Sequence, residues 1–318
     1  NMEYGTIENL GVTDVEISGN RHVGGLAGFN FYESPITNSY ATGSIAGGAG
    51  VGALVGGNVR SPITNSYAMA AVSGDSYVGG LVGANGYEST VTGSYATGSV
   101  SGGQVAGGLI GRNASNSTVN SSYATGSVTG DDDVGGLVGY NDDYSTVANS
   151  YATGSVTGDD DIGGLIGVND DGSTVISCYA IGSVSGVETA NGLVGVWWGG
   201  TVSDSFWDVD TSGQPDSHGG TGKTTPEMKN VATFTATATA GLESSWDFLG
   251  NPNDDAGDED YWDIDPGVND GYPYLPGASR AGNNAPTVGA LDDSPDPVTG
   301  GNSLMLTATG VSDADGTV

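Results

Sequence analysis

The segment Val134-Gly135-Gly136-Leu137-Val138-Gly139-Tyr140-Asn141 decides the fold, because variants of it recur along the chain at a nearly constant interval. Its leucine stands at Leu26, Leu54, Leu81, Leu109, Leu137, Leu165 and Leu193, so successive copies lie 28, 27, 28, 28, 28 and 28 residues apart. A second segment, Ser-Tyr-Ala-Thr-Gly-Ser-Val, keeps the same interval through Tyr40, Tyr67, Tyr95, Tyr123, Tyr151 and Tyr179 and ends at Phe206. Two markers that stay in phase identify a tandem array.

Each repeat contains short runs of strand composition separated by turns rich in glycine and aspartate. Between Val134 and Asp161 these runs are Gly136–Val138, Ser145–Val147 and Ser150–Val156, and no stretch has helical periodicity. Runs this short cannot form independent sheets, whereas stacked copies let each strand pair with its counterpart in the next coil. The repeat therefore predicts an all-β fold, a parallel β-solenoid of about seven coils that forms a rod about 34 Å long.

Alternation along the strands predicts the direction of the side chains. Leu137, Val147 and Val156 are expected to point into the core of their coil. The tyrosine column admits two interpretations, a stacked ladder on the outside or large filler inside. Because the small residues on either side of each tyrosine are expected to point inward, alternation favours the outer ladder.

The segments Gly136-Leu137-Val138-Gly139 and Gly164-Leu165-Ile166-Gly167 resemble the core of the GLUG motif family. The resemblance covers roughly residues 8–206. The second copy departs from it with Ala53 before the leucine, and the seventh with Asn191 in place of the first paired glycine. The resemblance implies a secreted or surface-anchored protein of a bacterium or archaeon. Some members carry peptidase domains, so the repeat itself implies no chemistry.

Residues 207–277 leave the 28-residue interval and concentrate aromatic side chains. Because the end of an array exposes an unpaired sheet edge and an open core, this segment is predicted to be a C-terminal cap on the solenoid of residues 1–206. One short helix is predicted within it, with Thr225 as N-cap, Pro226 at the first helical position and Glu227 in the first turn.

After a linker at residues 278–284, residues 285–318 resemble the opening strands of an Ig-like or cadherin-like surface module. A β-sandwich of that type needs roughly 100 residues, so the module is predicted to be incomplete. Either the polypeptide continues beyond Val318, or another subunit completes the sheet by strand addition.

The composition excludes several classes of function. Six lysines and arginines against 38 aspartates and glutamates give a net charge of −32, so nucleic acid is not an expected partner. No apolar run approaches the roughly 20 residues of a membrane span. Cys178 stands where other repeats carry serine, and we expect it to be a small buried side chain, not a reactive thiol.

Catalytic motifs are weak. The run Gly219-Gly220-Thr221-Gly222-Lys223-Thr224 invites comparison with a phosphate-binding loop, but Ser217 stands where the first glycine is required, and a flexible connector is the simpler interpretation. His22 and His218 are the only histidines, so no zinc peptidase site is expected. Carboxylates alone could serve a polysaccharide hydrolase or lyase, although the array has few basic residues to bind acidic sugars.

The strongest site hypothesis is cationic, because neighbouring coils carry aspartates in the same register. These are Asp131, Asp132 and Asp133 with Asp159, Asp160 and Asp161, and Asp142 and Asp143 with Asp170 and Asp171. Stacking would bring like charges to within about 5 Å. Calcium, which prefers oxygen ligands, would relieve the repulsion. The alternative is a set of exposed turns screened by salt.

The sequence therefore predicts an extracellular structural or adhesive module, as a rigid stalk or a filament subunit, on the surface of a bacterium or archaeon in a salty environment. Self-association and other surface proteins are the expected partners, and glycans are further candidates. The alternative is a carbohydrate-binding module or polysaccharide-acting enzyme that uses the tyrosine ladder and the acidic turns.

Overall fold

The computed structural model describes residues 1–249 and 261–277. The predicted linker at 278–284 and the predicted sandwich strands at 285–318 lie outside the described residues. Each 28-residue unit forms one coil of a parallel β-solenoid, because its strands pair in parallel with the same segments of the coils before and after it. Val138, for example, pairs with Ile110 on one side and Ile166 on the other. The predicted fold class is confirmed.

Three parallel sheets run along the array. The first sheet consists of Met2–Glu3, Ala27–Phe31, Val55–Val59, Val82–Gly86, Ile110–Asn113, Val138–Asn141, Ile166–Asn169 and Val194–Trp197. The second consists of Ile7–Glu8, Ile36–Thr37, Pro62–Thr64, Thr90–Thr92, Thr118–Asn120, Thr146–Ala148, Thr174–Ile176 and Thr201–Ser203. The third consists of Gly11–Ser18, Arg21–Val23, Tyr40–Ala46, Ala49–Gly52, Tyr67–Ala68, Ala71–Gly79, Tyr95–Ala96, Val100–Gly107, Tyr123–Ala124, Val128–Thr129, Asp132–Gly135, Tyr151–Ala152, Val156–Gly158, Ile162–Gly163, Tyr179–Ala180, Val184–Gly186, Ala190–Asn191, Phe206–Asp208 and Thr221–Lys223.

A narrow apolar core fills the coils. Leu137, Val147 and Val156 are fully buried, as predicted, and the same positions of neighbouring coils stack on them. The strand boundaries differ from the sequence prediction, since one strand runs from Val138 to Asn141 through a segment that was predicted to begin a turn. A Cβ atom at Gly139 would lie 2.8 Å from the carbonyl oxygen of Gly111, so glycine permits the close approach of coils that extends this strand.

One corner of every coil adopts a left-handed backbone conformation. The residue before the inward serine position has φ between 46° and 60° in each coil, at Asn9, Asn38, Asn65, Gly93, Ser121, Asn149, Ser177 and Asp204. Asparagine, aspartate and glycine are the residues that tolerate this conformation best. The corner therefore explains why the repeat keeps small polar residues there.

A ladder of buried asparagines links six consecutive coils. Its members are Asn30, Asn58, Asn85, Asn113, Asn141 and Asn169. The Nδ2 of each of the first five donates to the Oδ1 of the asparagine in the next coil at 2.8 to 2.9 Å, and the Nδ2 of Asn169 donates to backbone carbonyls. The sequence analysis missed this asparagine ladder, although the motif ends in asparagine, because the position was assigned to a turn.

The tyrosines stack on the outside of the solenoid. Ring centroids of successive tyrosines from Tyr40 to Tyr179 lie 4.8 to 5.0 Å apart, and the ring planes differ by 2° to 6°. The alanine after each tyrosine belongs to the apolar core, whereas Tyr151 and Tyr179 pack against Trp246 and Trp262 in a separate cluster. The interpretation as an outer ladder is therefore confirmed.

The described part of residues 207–277 covers the last coil. Thr221–Lys223 pairs with Phe206–Asp208 and so extends the third sheet, while the Trp207 side chain packs into the end of the apolar core. Trp246 lies over the last rungs of the tyrosine ladder. The segment thus protects both an edge and a face of the array.

The helices of this segment are short: Val209–Ser212, Thr225–Met228 and Ala232–Thr235, with a 3-10 turn at Asn269–Gly271. The prediction of one helix with Thr225 as its N-cap was wrong on two points. The described part of the segment contains three short helices, and the N-cap lies one residue earlier. Thr224 is the N-cap, because its backbone N–H donates to the Glu227 carboxylate in a capping box. Among the described residues, no helix has the length and apolar character that crossing a membrane requires.

Candidate functional site

A groove of about 570 Å³ lies where the third sheet meets the outer face of the first sheet. This acidic groove is lined by Tyr77, Gln104, Val105, Arg112, Asp132, Asp133, Tyr140, Asp142, Asp160 and Asp161. Arg112 and Tyr140 occupy the same register position in neighbouring strands of the first sheet. The groove therefore runs across several coils, and its walls are built from register positions whose residues change from coil to coil.

One wall of the acidic groove is a second left-handed corner. Tyr77, Val105, Asp133 and Asp161 occupy equivalent positions, with φ between 51° and 56°. This conformation is costly for a β-branched residue such as Val105, and aspartate tolerates it better. The corner turns the Asp133 and Asp161 side chains into one column beside the first sheet.

The carboxylates in this column repel one another. Partial burial, together with the charges of Asp161, Asp132 and Asp160, raises the pKa of Asp133 to about 6. Burial also raises the pKa of Asp161, with Asp160 and Asp132 acting in the same direction and His218 opposing them. The folded chain therefore holds its acidic groups closer together than their charges favour.

Arg112 is a basic side chain within the acidic groove. Its guanidinium donates to Asp142 Oδ2 at 2.6 Å, lies 4.0 Å from an Asp143 oxygen and stands 6.0 Å from the ring centroid of Tyr77. Asp142 is only 7% exposed. Burial raises the pKa of Asp142 against the opposing effect of Arg112. Its second oxygen, Oδ1, is buried and has no hydrogen-bond partner.

Tyr140 stands between two groups of aspartates. Its hydroxyl donates to Asp170 Oδ2 at 3.0 Å. Burial, that hydrogen bond and the charges of Asp170, Asp142 and Asp133 raise the pKa of Tyr140, so the phenol stays neutral near pH 7. The neutral Tyr140 side chain is part of the wall of the acidic groove.

The structure brings together only part of the aspartate set that the sequence predicted. Asp132, Asp133, Asp142, Asp160 and Asp161 line the acidic groove, whereas Asp131, Asp159, Asp143 and Asp171 do not, and Asp170 is tied to Tyr140. Within the described residues, no three Asp, Glu, His or Cys side chains form a group that could hold a metal ion. Calcium binding stays a prediction, and it has no preformed ligand cage to support it.

Sequence reasoning missed Tyr77, Arg112 and Tyr140. The residue at each of these positions changes between most coils, so no repeat pattern marks them. The only available signal was the 28-residue register, which places Arg112 one coil before Tyr140 and two residues before the register position of Asp142. Placing outward residues on a common coil template would have shown the cluster.

Two other sequence-predicted features have structural roles. The Gly219–Thr224 run is neither a phosphate-binding loop nor a flexible connector, since Thr221–Lys223 is a strand and Lys223 Nζ donates to the carbonyl of Ala240 at 2.9 Å. Cys178 is fully buried in the serine column, and burial raises its thiol pKa to about 12. The expectation of an unreactive, small buried side chain agrees with this position.

The tyrosine ladder offers few ring faces for a sugar. Each ring between Tyr40 and Tyr179 stacks on its neighbours, and Tyr151 and Tyr179 are buried beneath the C-terminal segment. Carbohydrate-binding aromatic residues need an accessible face, so this geometry does not favour the predicted sugar platform.

Comparison with known proteins places a family motif on the coils. The GLUG motif matches residues 19–46, 74–101 and 132–157. Three segments of the array are thus GLUG repeats. No curated protein matches the sequence. The chain is also similar to a crystal structure of a putative immunoglobulin A1 protease from Bacteroides ovatus, with 20% identity and a TM-score of 0.49 over 86% of this chain and 75% of that chain.

Proposed function

We propose that this chain is a rigid extracellular stalk, a structural or adhesive module that holds other parts of a surface assembly at a fixed distance. The asparagine ladder is the observation that carries the proposal. It joins six coils through buried side-chain hydrogen bonds, so bending the rod there would break bonds that water cannot replace. The stacked tyrosines add a second stiff column on the outside.

A stalk is better supported than a filament made by direct end-to-end stacking. Trp207 and the strand Thr221–Lys223 occupy the C-terminal end of the array, so another coil could not stack there without displacing them. Self-association and contacts with other surface proteins would therefore use the sides of the rod. We assign no reaction to the chain, because Arg112 and Tyr140 are engaged with Asp142 and Asp170.

The proposed location is the outside of a bacterial or archaeal cell. A net charge of −32 keeps the surface hydrated, and salt at the cell exterior would screen the repulsion among its aspartates. The GLUG repeats are consistent with this location.

A distance measurement between the ends of the rod tests the proposal. Spin labels on Thr37→Cys and Ser203→Cys would be separated by six coil steps of the second sheet. Electron paramagnetic resonance should give one narrow distance distribution near about 29 Å, unchanged between low and high salt. The same label pair in an Asn113→Asp background is the control, and it should give a broader distribution. A broad distribution in the otherwise unaltered chain would contradict a stalk.

A further inference from the structure

A continuous row of ring side chains lies on the outer face of the first sheet, near the N-terminal end of the rod. This aromatic strip consists of His22, Phe29, Phe31, Tyr32 and Tyr4. In that order, successive ring centroids lie 4.9, 5.5, 5.1 and 5.8 Å apart. Tyr4 is 71% exposed and Tyr32 38% exposed. Unlike the tyrosine ladder, the aromatic strip therefore presents rings to solvent.

The aromatic strip is not a product of the repeat. Phe29 and Phe31 are the only phenylalanines before Phe206 in the chain. The next two coils carry Gly57 and Ala84 at the register position of Phe29. A row of large apolar side chains on the surface adds little to the stability of the fold, and a contiguous exposed patch of this kind marks an interaction site.

Glycines in the next coil hold the rings in place. A Cβ atom at Gly57 would lie 2.7 Å from the Phe29 ring and 3.0 Å from Nδ1 of His22, and one at Gly50 would lie 3.1 Å from the same nitrogen. The two rings thus lie over glycine backbone, and they contact each other edge to face at 75°. Rings that are already fixed lose little conformational freedom when a ligand binds.

Polar groups of both signs adjoin the aromatic strip. Arg21 and Arg60 are exposed, and neither has an ion-pair partner within the described residues. The Arg60 guanidinium stands 5.9 Å from the ring centroid of Tyr32. Glu3 and Glu33 are exposed acids next to the two tyrosines of the strip, so these four charges sum to zero. They can donate to and accept from a neutral ligand, whereas the net charge of −32 repels a long anionic one.

The position of the strip disfavours a peptide and a second copy of the chain. Ala27–Phe31 pairs with Met2–Glu3 on one side and Val55–Val59 on the other, so an extended peptide has no free strand edge to pair with at this face. Two copies would each bring a charge of −32 to the contact. A sugar chain meets both conditions, because its apolar faces pack on rings while its hydroxyl groups bond to charged side chains.

We propose that the aromatic strip binds a neutral polysaccharide, with Phe29, Phe31 and Tyr32 as its platform and Arg60 as a hydrogen-bond donor to its hydroxyl groups. The stalk would then attach to a glycan through its side. This site goes beyond the stalk function. Its failure would leave that function untouched, since the asparagine ladder lies inside the solenoid and the strip lies outside.

Affinity electrophoresis of the whole chain tests the proposal. Native gels contain increasing amounts of xyloglucan, galactomannan or alginate, and the retardation gives a dissociation constant for each. At least one of the two neutral polysaccharides should retard the chain. Alginate is the anionic comparison, and it should not, because the surface charge repels it.

Substitutions locate the binding site. Tyr32→Asn removes an exposed ring and supplies a residue that tolerates φ of 53°, and it should weaken binding about tenfold. Tyr87→Asn is the matched control: Tyr87 lies at the same corner two coils later, is 58% exposed and has φ of 58°. It should change the affinity less than about twofold. Arg60→Gln should weaken binding about threefold, because it removes a charged donor. Thermal unfolding verifies that every variant is folded.

Four outcomes would overturn the proposal. The first is no retardation by either neutral polysaccharide, and the second is stronger retardation by alginate, which would indicate an anionic chain. The third is an equal loss of affinity in Tyr32→Asn and Tyr87→Asn, which would indicate weak contacts spread over the surface. Analytical ultracentrifugation supplies the fourth: a dimer of the parent chain that Tyr32→Asn abolishes would assign the strip to a second copy.

Discussion

The asparagine ladder and the aspartates of the acidic groove repeat at the same interval, but stacking stabilises the asparagines and destabilises the aspartates. An amide carries both a donor and an acceptor, so identical asparagines in successive coils bond to one another at 2.8 to 2.9 Å. An ionised carboxylate carries only acceptors, so Asp133 and Asp161 in the same stacking geometry repel each other, and partial burial adds to the cost. Stacking identical residues in successive coils is therefore favourable for side chains that carry both a donor and an acceptor.

This difference explains where each residue type lies. The asparagines are fully or almost fully buried inside the solenoid, and those with an asparagine in both neighbouring coils are satisfied by self-pairing. The paired aspartates lie on turns and groove walls, where water and ions reduce the repulsion. This explanation is tested by replacing an asparagine of the ladder with aspartate and by replacing an aspartate of the groove with asparagine.

The largest effect is expected when the ladder receives a carboxylate. Asn113 donates to Asn141 and accepts from Asn85, so Asn113→Asp removes a donor and sets two acceptors against each other in the core. A buried charge without a partner costs about 3 kcal/mol or more, and we expect the free energy of unfolding to fall by that amount at pH 7. Urea unfolding monitored by circular dichroism measures it.

The control makes the same chemical change at the surface of the same coil. Asn116 is exposed and also has a positive φ, so Asn116→Asp should alter the stability by less than about 0.5 kcal/mol. Because burial would raise the pKa of the carboxyl group that Asn113→Asp introduces, the penalty of that substitution should shrink at about pH 4. Equal effects of the two substitutions would show that the ladder does not stiffen the array.

The fold could be predicted from the sequence because two repeated markers indicate it independently. The leucine and tyrosine markers fixed the coil length, and Leu137 and Val147 were correctly placed inside. The functional surface did not follow, because Arg112 and Tyr140 occupy a position that carries a different residue in nearly every coil. Periodicity identifies what every coil shares, whereas a site on the side of a solenoid depends on what the coils do not share.

The contacts of the C-terminal segment also could not be predicted from the sequence pattern. Its aromatic residues predicted a cover for the array, but not that Trp246 and Trp262 pack on the outer tyrosines while Trp207 enters the core. Those outer contacts join Tyr179 to residues far along the chain, and no local pattern in the sequence reports them.

Replacing an aspartate of the groove with asparagine is expected to change the free energy of unfolding by a smaller amount and in the opposite direction. Asp133→Asn removes one of the crowded carboxylates and keeps a residue that tolerates φ of 51°. We expect the free energy of unfolding to rise by about 1 kcal/mol at pH 7, a value reduced for solvent screening because the side chain is partly exposed. Asp131→Asn, at an exposed position of the same turn, should be nearly neutral.

The way in which the destabilisation by Asp133 changes with pH follows from proton binding. The pKa of Asp133 is raised from 3.8 to about 6 in the folded chain, so the folded state binds the proton more tightly than the unfolded state. The destabilisation is absent below about pH 4, develops between about pH 4 and 6, and is complete above that range. The stability difference between variant and parent should follow this course, with Asp161, Asp132 and Asp160 setting its breadth. A difference that does not change with pH would refute the role of repulsion.

The smallest effect concerns the serine column, in which Cys178 is the one different member between Ser150 and Ser205. Each serine hydroxyl here donates to the carbonyl two residues earlier, at 2.6 to 2.9 Å, and in most coils accepts the backbone N–H of the serine one coil before. The Cys178 sulfur lies 3.1 Å from the carbonyl oxygen of Ile176 and is a weak acceptor for the Ser150 N–H.

Cys178→Ser should therefore complete the column and raise the free energy of unfolding by about 0.5 to 1 kcal/mol. Cys178→Ala is the matched comparison, because it removes the acceptor and should lower the stability by about 1 kcal/mol. Urea unfolding of the three proteins gives the order serine, cysteine, alanine if pairing between like residues governs this position as it governs the asparagines. If cysteine is the most stable of the three, sulfur packing outweighs hydrogen bonding there, and the rule drawn from the asparagine ladder stops at that ladder.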